Sequence, residues 1–156
     1  MVFCNRHARV SRYCIIDDCV SDDFEFNGKL GPMRKLFIGS IGHWVTLNNL
    51  INFDVLFIRI QGSILSVSDL NSFLRHWRTG GSARLEWLYL NFEKGMFRET
   101  FDEDLEIVKT DEVRVYDRSS DALEWVFDGG YSIQRTDGVK AEIECGPGWF
   151  TMGVWH

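Results

Sequence analysis

Residues 52–92 decide the fold and read NFDVLFIRIQGSILSVSDLNSFLRHWRTGGSARLEWLYLNF. They hold an apolar run at residues 55–58, a segment with helical periodicity, and a second apolar run at residues 85–90. A continuous apolar run is typical of a parallel strand covered on both faces. Since a connecting helix of about a dozen residues suits a crossover between parallel strands, the stretch predicts one βαβ unit. An antiparallel arrangement of the same elements is the alternative.

The helix of this unit has recognisable signals at both ends. Ser66 and Asp69 form an S-x-x-D pattern, a loose capping box at the helix start. The next apolar residues fall on one helical face, because their spacing is i, i+3, i+4 and i+7: Leu70, Phe73, Leu74 and Trp77. Gly80 and Gly81 stand where the helix is expected to end.

The segments before this unit carry weaker patterns. Residues 1–33 mix basic and acidic side chains and are expected to form an irregular lead-in. A strand is predicted from Leu36, and a short helix is predicted over residues 44–50. Together they predict a first βα unit and a leucine-rich-repeat-like stack, although repeat arrays usually need three or more units.

The pattern changes to β structure after Phe92. A short helix is expected at residues 100–106, with Thr100 or Asp102 as its cap. Strands are predicted at residues 113–116 and 123–127. Strict alternation at residues 139–145, a type I′ hairpin at Asp137–Gly138 and a turn at residues 146–148 predict an antiparallel meander of three strands.

These elements predict an α/β or α+β fold, with a short leucine-rich-repeat-like βα stack followed by a C-terminal antiparallel β-meander. The expected domain covers residues 34–156, with the βα units at 34–92 and the β region at 110–156.

Several of these residues also resemble a known family, the type 2 F-box-associated domain, which is greatly expanded in nematodes. The helix residues 69–77 (DLNSFLRHW) resemble the family's D-x-N-x-F-L-x-x-W, and residues 84–88 (RLEWL) resemble its R-L-E-x-L. Trp44, Leu47 and Leu50 precede them at matching places. The good match spans residues 44–108, and residues 131–155 form a looser second match to the family's ending.

The resemblance implies a protein–protein recognition role. In this family an N-terminal F-box docks the adaptor of a cullin-type ubiquitin ligase, and the C-terminal domain binds the target protein. The chain departs from that plan, because its first 43 residues contain only two leucines, Leu30 and Leu36, and no F-box is predicted. A stand-alone interaction or decoy domain with no ubiquitin-ligase link is therefore the alternative. Neither the target nor the partner-binding residues follow from the resemblance.

Composition limits the classes of partner. The chain has 156 residues, a size that suits one domain, and a net charge of −6. An acidic chain is a poor match for nucleic acid and for an anionic membrane surface. No apolar run approaches the roughly 18 residues that span a bilayer, and no signal peptide is predicted, so an intracellular location, cytoplasmic or nuclear, is expected. The six tryptophans are expected mainly in the core, with an exposed recognition patch as the alternative.

Candidate chemistry is sparse. The spacing of Cys4, His7, Cys14 and Cys19 is not a usual zinc pattern, so no metal site is predicted. The acidic pairs at residues 17–18 and 22–23 lack the rest of a calcium loop and are expected to be solvated. Residues 39–42 (GSIG) lack the lysine and spacing of a phosphate loop.

No catalytic or cofactor-binding residue is predicted, since the histidines match no catalytic arrangement in the sequence. His76 is expected on the polar surface of the helix, and His43 at a helix start. Arg75, Arg78 and Arg84 are expected either to complement the helix dipole or to contact an acidic partner.

Overall fold

The computed structural model describes residues 2–4, 13–17, 20–39, 42–93, 100–118 and 123–156. Over these residues the strands form one nine-stranded sheet in the order β1-β2-β3-β4-β5-β9-β8-β7-β6. The strands are β1 (Val2–Cys4), β2 (Tyr13–Ile16), β3 (Leu30–Ile38), β4 (Phe53–Ser63), β5 (Trp87–Phe92), β6 (Val108–Arg118), β7 (Leu123–Gln134), β8 (Lys140–Gly146) and β9 (Trp149–Trp155). The helices are α1 (Leu47–Ile51) and α2 (Val67–Arg78), with 3₁₀ turns at Gly42–Trp44 and Glu103–Leu105.

One half of the sheet is built from parallel crossovers. β4 pairs in parallel with β5, and α2 connects the two strands. The βαβ unit predicted from residues 52–92 is therefore confirmed, and the antiparallel alternative is wrong. β3 and β4 are also parallel, with α1 between them, so the earlier segment forms a shorter βα unit of the same kind. The mixed α/β class follows from these crossovers.

Helix α2 begins and ends as its sequence predicts. The Ser66 hydroxyl accepts a hydrogen bond from the Asp69 backbone N–H, and the Asp69 carboxylate accepts one from the Ser66 N–H. At the other end Gly80 N–H bonds the Trp77 carbonyl and Gly81 N–H bonds the His76 carbonyl, which is a Schellman motif. The predicted apolar face is buried, and Trp77 is fully enclosed.

The other half of the sheet is antiparallel. β9 pairs with β5 and with β8, and β7 pairs with β8 and β6. The predicted three-strand meander is confirmed. The predicted type I′ turn is wrong, because that turn needs positive φ at both central residues and only Gly138 has it, at 93°. The Gly138 N–H bonds the Arg135 carbonyl, which fits a type I turn followed by a left-handed glycine.

Two local predictions differ from the structure. Strands β1 and β2 lie within residues 1–33, where an irregular lead-in is expected. β2 has only four residues, so its strand character depends on parallel pairing with β3, which sequence periodicity does not reveal. The segment at residues 100–106 contains a 3₁₀ turn; Asp102 is its N-cap, without a side-chain capping bond.

The buried side chains form two separate clusters, one on each face of the sheet. The larger cluster lies beneath the helices and includes Phe73, Trp77, Ile58 and Leu88. The smaller cluster consists of Phe57, Trp87, Tyr116 and Phe127. The apolar run at residues 55–58 serves both clusters, since Val55 and Ile58 join the larger one while Leu56 and Phe57 join the smaller.

Candidate functional site

The face of the sheet opposite the helices, here called the open face, carries the candidate site. Neighbouring strands place their side chains there in rows. One row contains Ile15, Phe37, Arg59, Tyr89 and Thr151, which are successive register partners on β2, β3, β4, β5 and β9. Tyr13 and Ile15, at its β2 end, are about half exposed.

Part of the open face is covered by the outer end of the β6–β7 ribbon. This segment, called the arm, comprises residues 113–118 of β6 and 123–128 of β7. Gly129 and Gly130 have φ of 83° and 113°, values that side chains rarely tolerate, and they mark where β7 leaves the sheet plane. A β-bulge on β6 between Thr110 and Val113 lies opposite them. The bend brings Phe127 against the backbone of Gly153.

Polar contacts also hold the arm against the sheet. Arg114 pairs with Glu142, with its Nε 2.8 Å from Oε1. Burial raises the pKa of the Glu142 carboxyl, and the nearby Arg114 opposes that rise. Glu144 accepts a 2.7 Å hydrogen bond from the Asp128 backbone N–H and a 3.4 Å bond from the Trp125 Nε1. Burial also raises the pKa of Tyr116, whose side chain faces the sheet from the arm, to about 12.

Beside the arm a line of half-buried side chains crosses the open face, and we call it the stripe: Phe37, Arg59, Tyr89, Trp125 and Trp149. The Arg59 guanidinium lies 5.5 Å from the Phe37 ring centre and 5.4 Å from that of Tyr89. The Tyr89 ring lies 5.9 Å from Trp125, and Trp125 lies 6.1 Å from Trp149. The stripe is therefore a continuous chain of ring contacts that spans strands β3, β4, β5 and β9 and the arm.

Arg59 is the charged member of the stripe. It lies in the middle of β4, between β3 and β5, where a sheet interior usually carries apolar residues. Its Nε is buried and has no hydrogen-bond partner among the described residues. Sequence reasoning missed this residue, although an arginine inside an otherwise apolar run was a visible signal.

The six tryptophans differ in burial, which bears on whether they belong to the core or to an exposed patch. Trp44, Trp77 and Trp87 are buried. Trp125, Trp149 and Trp155 are half-buried and lie on the open face or the arm. The core interpretation holds for the first three, and the exposed recognition patch stays a prediction for the other three.

The arginines near the end of α2 contact carboxylates of the chain itself. Arg75 donates to Asp102 and to Asp104 at 2.8–3.0 Å, and Arg78 pairs with Glu106. Arg75 lowers the pKa of the Asp104 carboxyl. These pairs attach the 3₁₀ turn to the helix end, so the acidic contact expected for this cluster is intramolecular.

Arg84 forms a separate pair with Asp54, at 2.6 Å. It lies in the loop before β5, beside a groove of about 420 Å³ that Asp54 also lines. Since both side chains are about half exposed, solvent screens this pair.

The histidines are placed apart from each other. His76 is half-buried, and its ring lies against Gly81. Burial lowers its pKa. His43 lies in the 3₁₀ turn before α1, with its Nε2 3.5 Å from the Ser21 carbonyl oxygen.

The weaker metal candidates are described only in part. Of the four residues in the zinc pattern, only Cys14 has a described side chain, and the side chains of Cys4, His7 and Cys19 lie outside the described residues. Where side chains are described, no group of three histidine, cysteine or carboxylate residues is placed to hold a metal ion. Asp22 and Asp23 are exposed, and a hydrogen bond from Ser21 lowers the pKa of Asp23. The glycine-containing loop at residues 39–42 is described at its two ends only.

Comparison with known protein families finds a match over part of the chain. Residues 30–90 match the F-box associated family. The matched segment contains β3, α1, β4, α2 and most of β5, including Phe37, Arg59 and Tyr89 of the stripe. The resemblance inferred from the α2 motif is confirmed over this segment. The looser likeness at residues 131–155 lies beyond the matched segment and stays a prediction.

No curated protein and no solved structure matches the chain. Within the part of the chain that the structure describes, none of the helices has the length and apolar character needed to cross a bilayer.

Proposed function

We propose that this chain is a protein-recognition module that binds its target across the stripe, as the target-binding part of an F-box receptor of a cullin-type ubiquitin ligase. In this role the chain positions a target while other subunits transfer ubiquitin, so it needs no catalytic residue or cofactor of its own. Its expected location is intracellular. The family match, whose description implies association with an F-box, supports an interaction role.

The observation that carries the proposal is the stripe itself. Tyrosine, tryptophan and arginine are the residues most enriched at the energetic centres of protein interfaces, and the stripe contains two tryptophans, a tyrosine and an arginine. All five side chains are half-buried, so each presents surface while packing fixes its conformation. Such rigid aromatic groups lose little conformational entropy when a partner binds.

The leucine-rich-repeat-like character expected of the βα units is part of this proposal. Two parallel crossovers place α1 and α2 on one face, and no described helix covers the strands on the other face. Solenoid repeat proteins bind their partners on extended surfaces of comparable layout. Here the arm covers part of that surface.

The test is affinity purification of the tagged chain from cells of its source organism, followed by quantitative mass spectrometry. Trp149→Thr removes a stripe ring while keeping a strand-forming residue. Val113→Thr is the matched control, because Val113 is also an apolar strand residue, is 62 % exposed, and lies on the outer side of the arm. Circular dichroism and urea unfolding establish that both variants fold.

We expect the enriched proteins to include ligase adaptor and cullin subunits together with one or more targets. Trp149→Thr should reduce recovery of the targets, and Val113→Thr should retain it. Targets that are lost with Val113→Thr and kept with Trp149→Thr would move the binding surface to the outer side of the arm. Recovery of targets without any ligase subunit would refute the link to ubiquitination and leave a stand-alone interaction domain.

A further inference from the structure

Arg59 carries a feature that the recognition role alone does not explain. It is a charged side chain in the middle of a sheet, and within the described residues it has neither a carboxylate within ion-pair distance nor a hydrogen-bond acceptor. By contrast, Arg75 and Arg78 of α2 and Arg114 of the arm have carboxylate partners. A guanidinium has five N–H donors, and leaving buried donors unsatisfied destabilises a protein.

The environment of Arg59 limits what can satisfy those donors. Phe37 and Tyr89 flank it on the two neighbouring strands, so cation–π contacts stabilise its charge and fix its position. Rings supply no hydrogen-bond acceptor for the planar fork of N–H groups. That fork matches the two oxygens of a carboxylate, which is why arginine is preferred in such pairs.

The rest of the stripe indicates what accompanies the carboxylate. Trp149 lies two strands across the sheet and two residues along it from Arg59, because Arg59 pairs with Tyr89 and Tyr89 pairs with Thr151. With about 4.8 Å between strands and about 3.3 Å per residue, this separation is roughly 12 Å. An extended peptide covers that distance in three to four residues.

We propose that the stripe binds an acidic segment of a partner protein, with an aspartate or glutamate carboxylate paired to Arg59. An aromatic or aliphatic side chain three to four residues away packs on Trp125 and Trp149. This inference rests on the proposed function and specifies its ligand. Charge complementarity supports it, because the described charged member of the stripe is a cation. The Glu144 carboxylate, beside Trp125, is already bonded to Trp125 and Asp128.

The experiment begins with a random 16-residue peptide library displayed on phage and selected on the immobilised full chain. The most enriched sequence, made as a fluorescein-labelled peptide, is then titrated by fluorescence anisotropy. Arg59→Gln removes the charge, and Arg84→Gln is the matched control, since Arg84 is an exposed arginine in a loop outside the stripe. A second peptide with glutamine or asparagine replacing its acidic residues tests the pair without altering the protein.

We expect acidic residues to be enriched three to four positions from an aromatic or aliphatic residue. Losing a hydrogen-bonded charge typically weakens binding by about tenfold or more, so Arg59→Gln and the neutral peptide should each raise Kd by that factor. Combining the two changes should add little, because both remove the same contact. Arg84→Gln should leave Kd unchanged.

Two results separate failure of this inference from failure of the proposed function. If Trp149→Thr abolishes binding while Arg59→Gln and the neutral peptide bind like the originals, the carboxylate pairing is wrong and the stripe remains the recognition surface. If neither Trp149→Thr nor Arg59→Gln changes Kd, both proposals are wrong. Selection that enriches no acidic residues also overturns the inference.

Discussion

Substituting Gly153 by alanine tests how closely the arm packs on the sheet. Gly153 is buried on β9, and its side of the backbone faces the ring of Phe127. A Cβ at this position would lie 2.8 Å and 2.9 Å from two ring carbons of Phe127. Ordinary carbon–carbon contacts are about 3.5–4.0 Å, so the ring would have to move by roughly 0.7 Å or more.

The loss of stability caused by Gly153→Ala depends on how closely Phe127 is packed. Phe127 is fully buried beside Phe57, Trp87 and Tyr116, so it has little free space into which to move. Added volume in a well-packed core typically costs about 1–3 kcal/mol. We therefore expect Gly153→Ala to lower the free energy of unfolding by about 1–3 kcal/mol, although alanine has the higher intrinsic strand stability.

The assay is urea unfolding of four proteins, followed by circular dichroism: the original chain, Gly153→Ala, Phe127→Leu, and the double variant. Phe127→Leu shortens the ring that meets the new Cβ. In its presence Gly153→Ala should cost much less, giving a coupling energy in the range of about 0.5–3 kcal/mol that is usual for residues in contact.

Additive free energies in this cycle would refute the reasoning, because they would mean that Phe127 does not limit the space at Gly153. A Gly153→Ala protein as stable as the original would refute it as well. Either result would mean that the arm does not rest on β9 as described.

Three further predictions concern the helix and its neighbours. Ser66→Ala removes the hydroxyl that caps α2 and should lower the free energy of unfolding by about 1 kcal/mol in the same urea assay, whereas Ser72→Ala inside the helix should change it less. Arg75→Gln should speed amide hydrogen exchange at residues 102–106, because it removes the bonds to Asp102 and Asp104, and it should leave exchange in β4 unchanged. Hydrogen bonding to Arg135 lowers the pKa of Asp137 to about 2, below its usual value of 3.8. Ionised Asp137 therefore stabilises the fold above about pH 4. This contribution is lost as the pH falls toward 2. Asp137→Asn should therefore make the urea midpoint less dependent on pH between about 4 and 2; an unchanged slope would contradict the assignment.

The local elements were predictable because their signals lie close together in sequence. The capping pair of α2 is three residues apart, and its buried face repeats within two turns. The alternation of β8 and the Gly-Pro-Gly turn after it identify the last hairpin in the same way. Each of these signals reflects contacts within one helix or one hairpin.

The candidate site was not predictable, because it depends on the register between strands. Phe37, Arg59 and Tyr89 are 22 and 30 residues apart in order, and only the pairing of β3, β4 and β5 aligns them. The run at residues 55–58 predicted a strand covered on both faces, which is correct for Phe57. It did not reveal that the cover on one face is the arm rather than a helix.

The arm itself illustrates the same limit. Val113 and Val115 alternate with Arg114 and Tyr116, which predicts a strand but not which side faces the protein. In the structure the valines are exposed, while Arg114 and Tyr116 face the sheet. Hydrophobicity alone would assign the valines to the buried face and Arg114 to the solvent. The contacts that Arg114 and Tyr116 make with the sheet give the opposite orientation.

The bend at Gly129 and Gly130 has a thermodynamic consequence for the proposed recognition of a target. Trp125 belongs to the arm, whereas Arg59, Tyr89 and Trp149 belong to the sheet, so the stripe is complete only while the arm is closed. Apparent affinity then equals intrinsic affinity scaled by the closed fraction. A substitution that opens the arm without touching the stripe weakens binding by the same factor, and a bound partner in turn raises the closed fraction. Under the proposed function, affinity for the target can therefore be adjusted at Arg114 and Glu142, away from the stripe, without any change to the proposed target contacts.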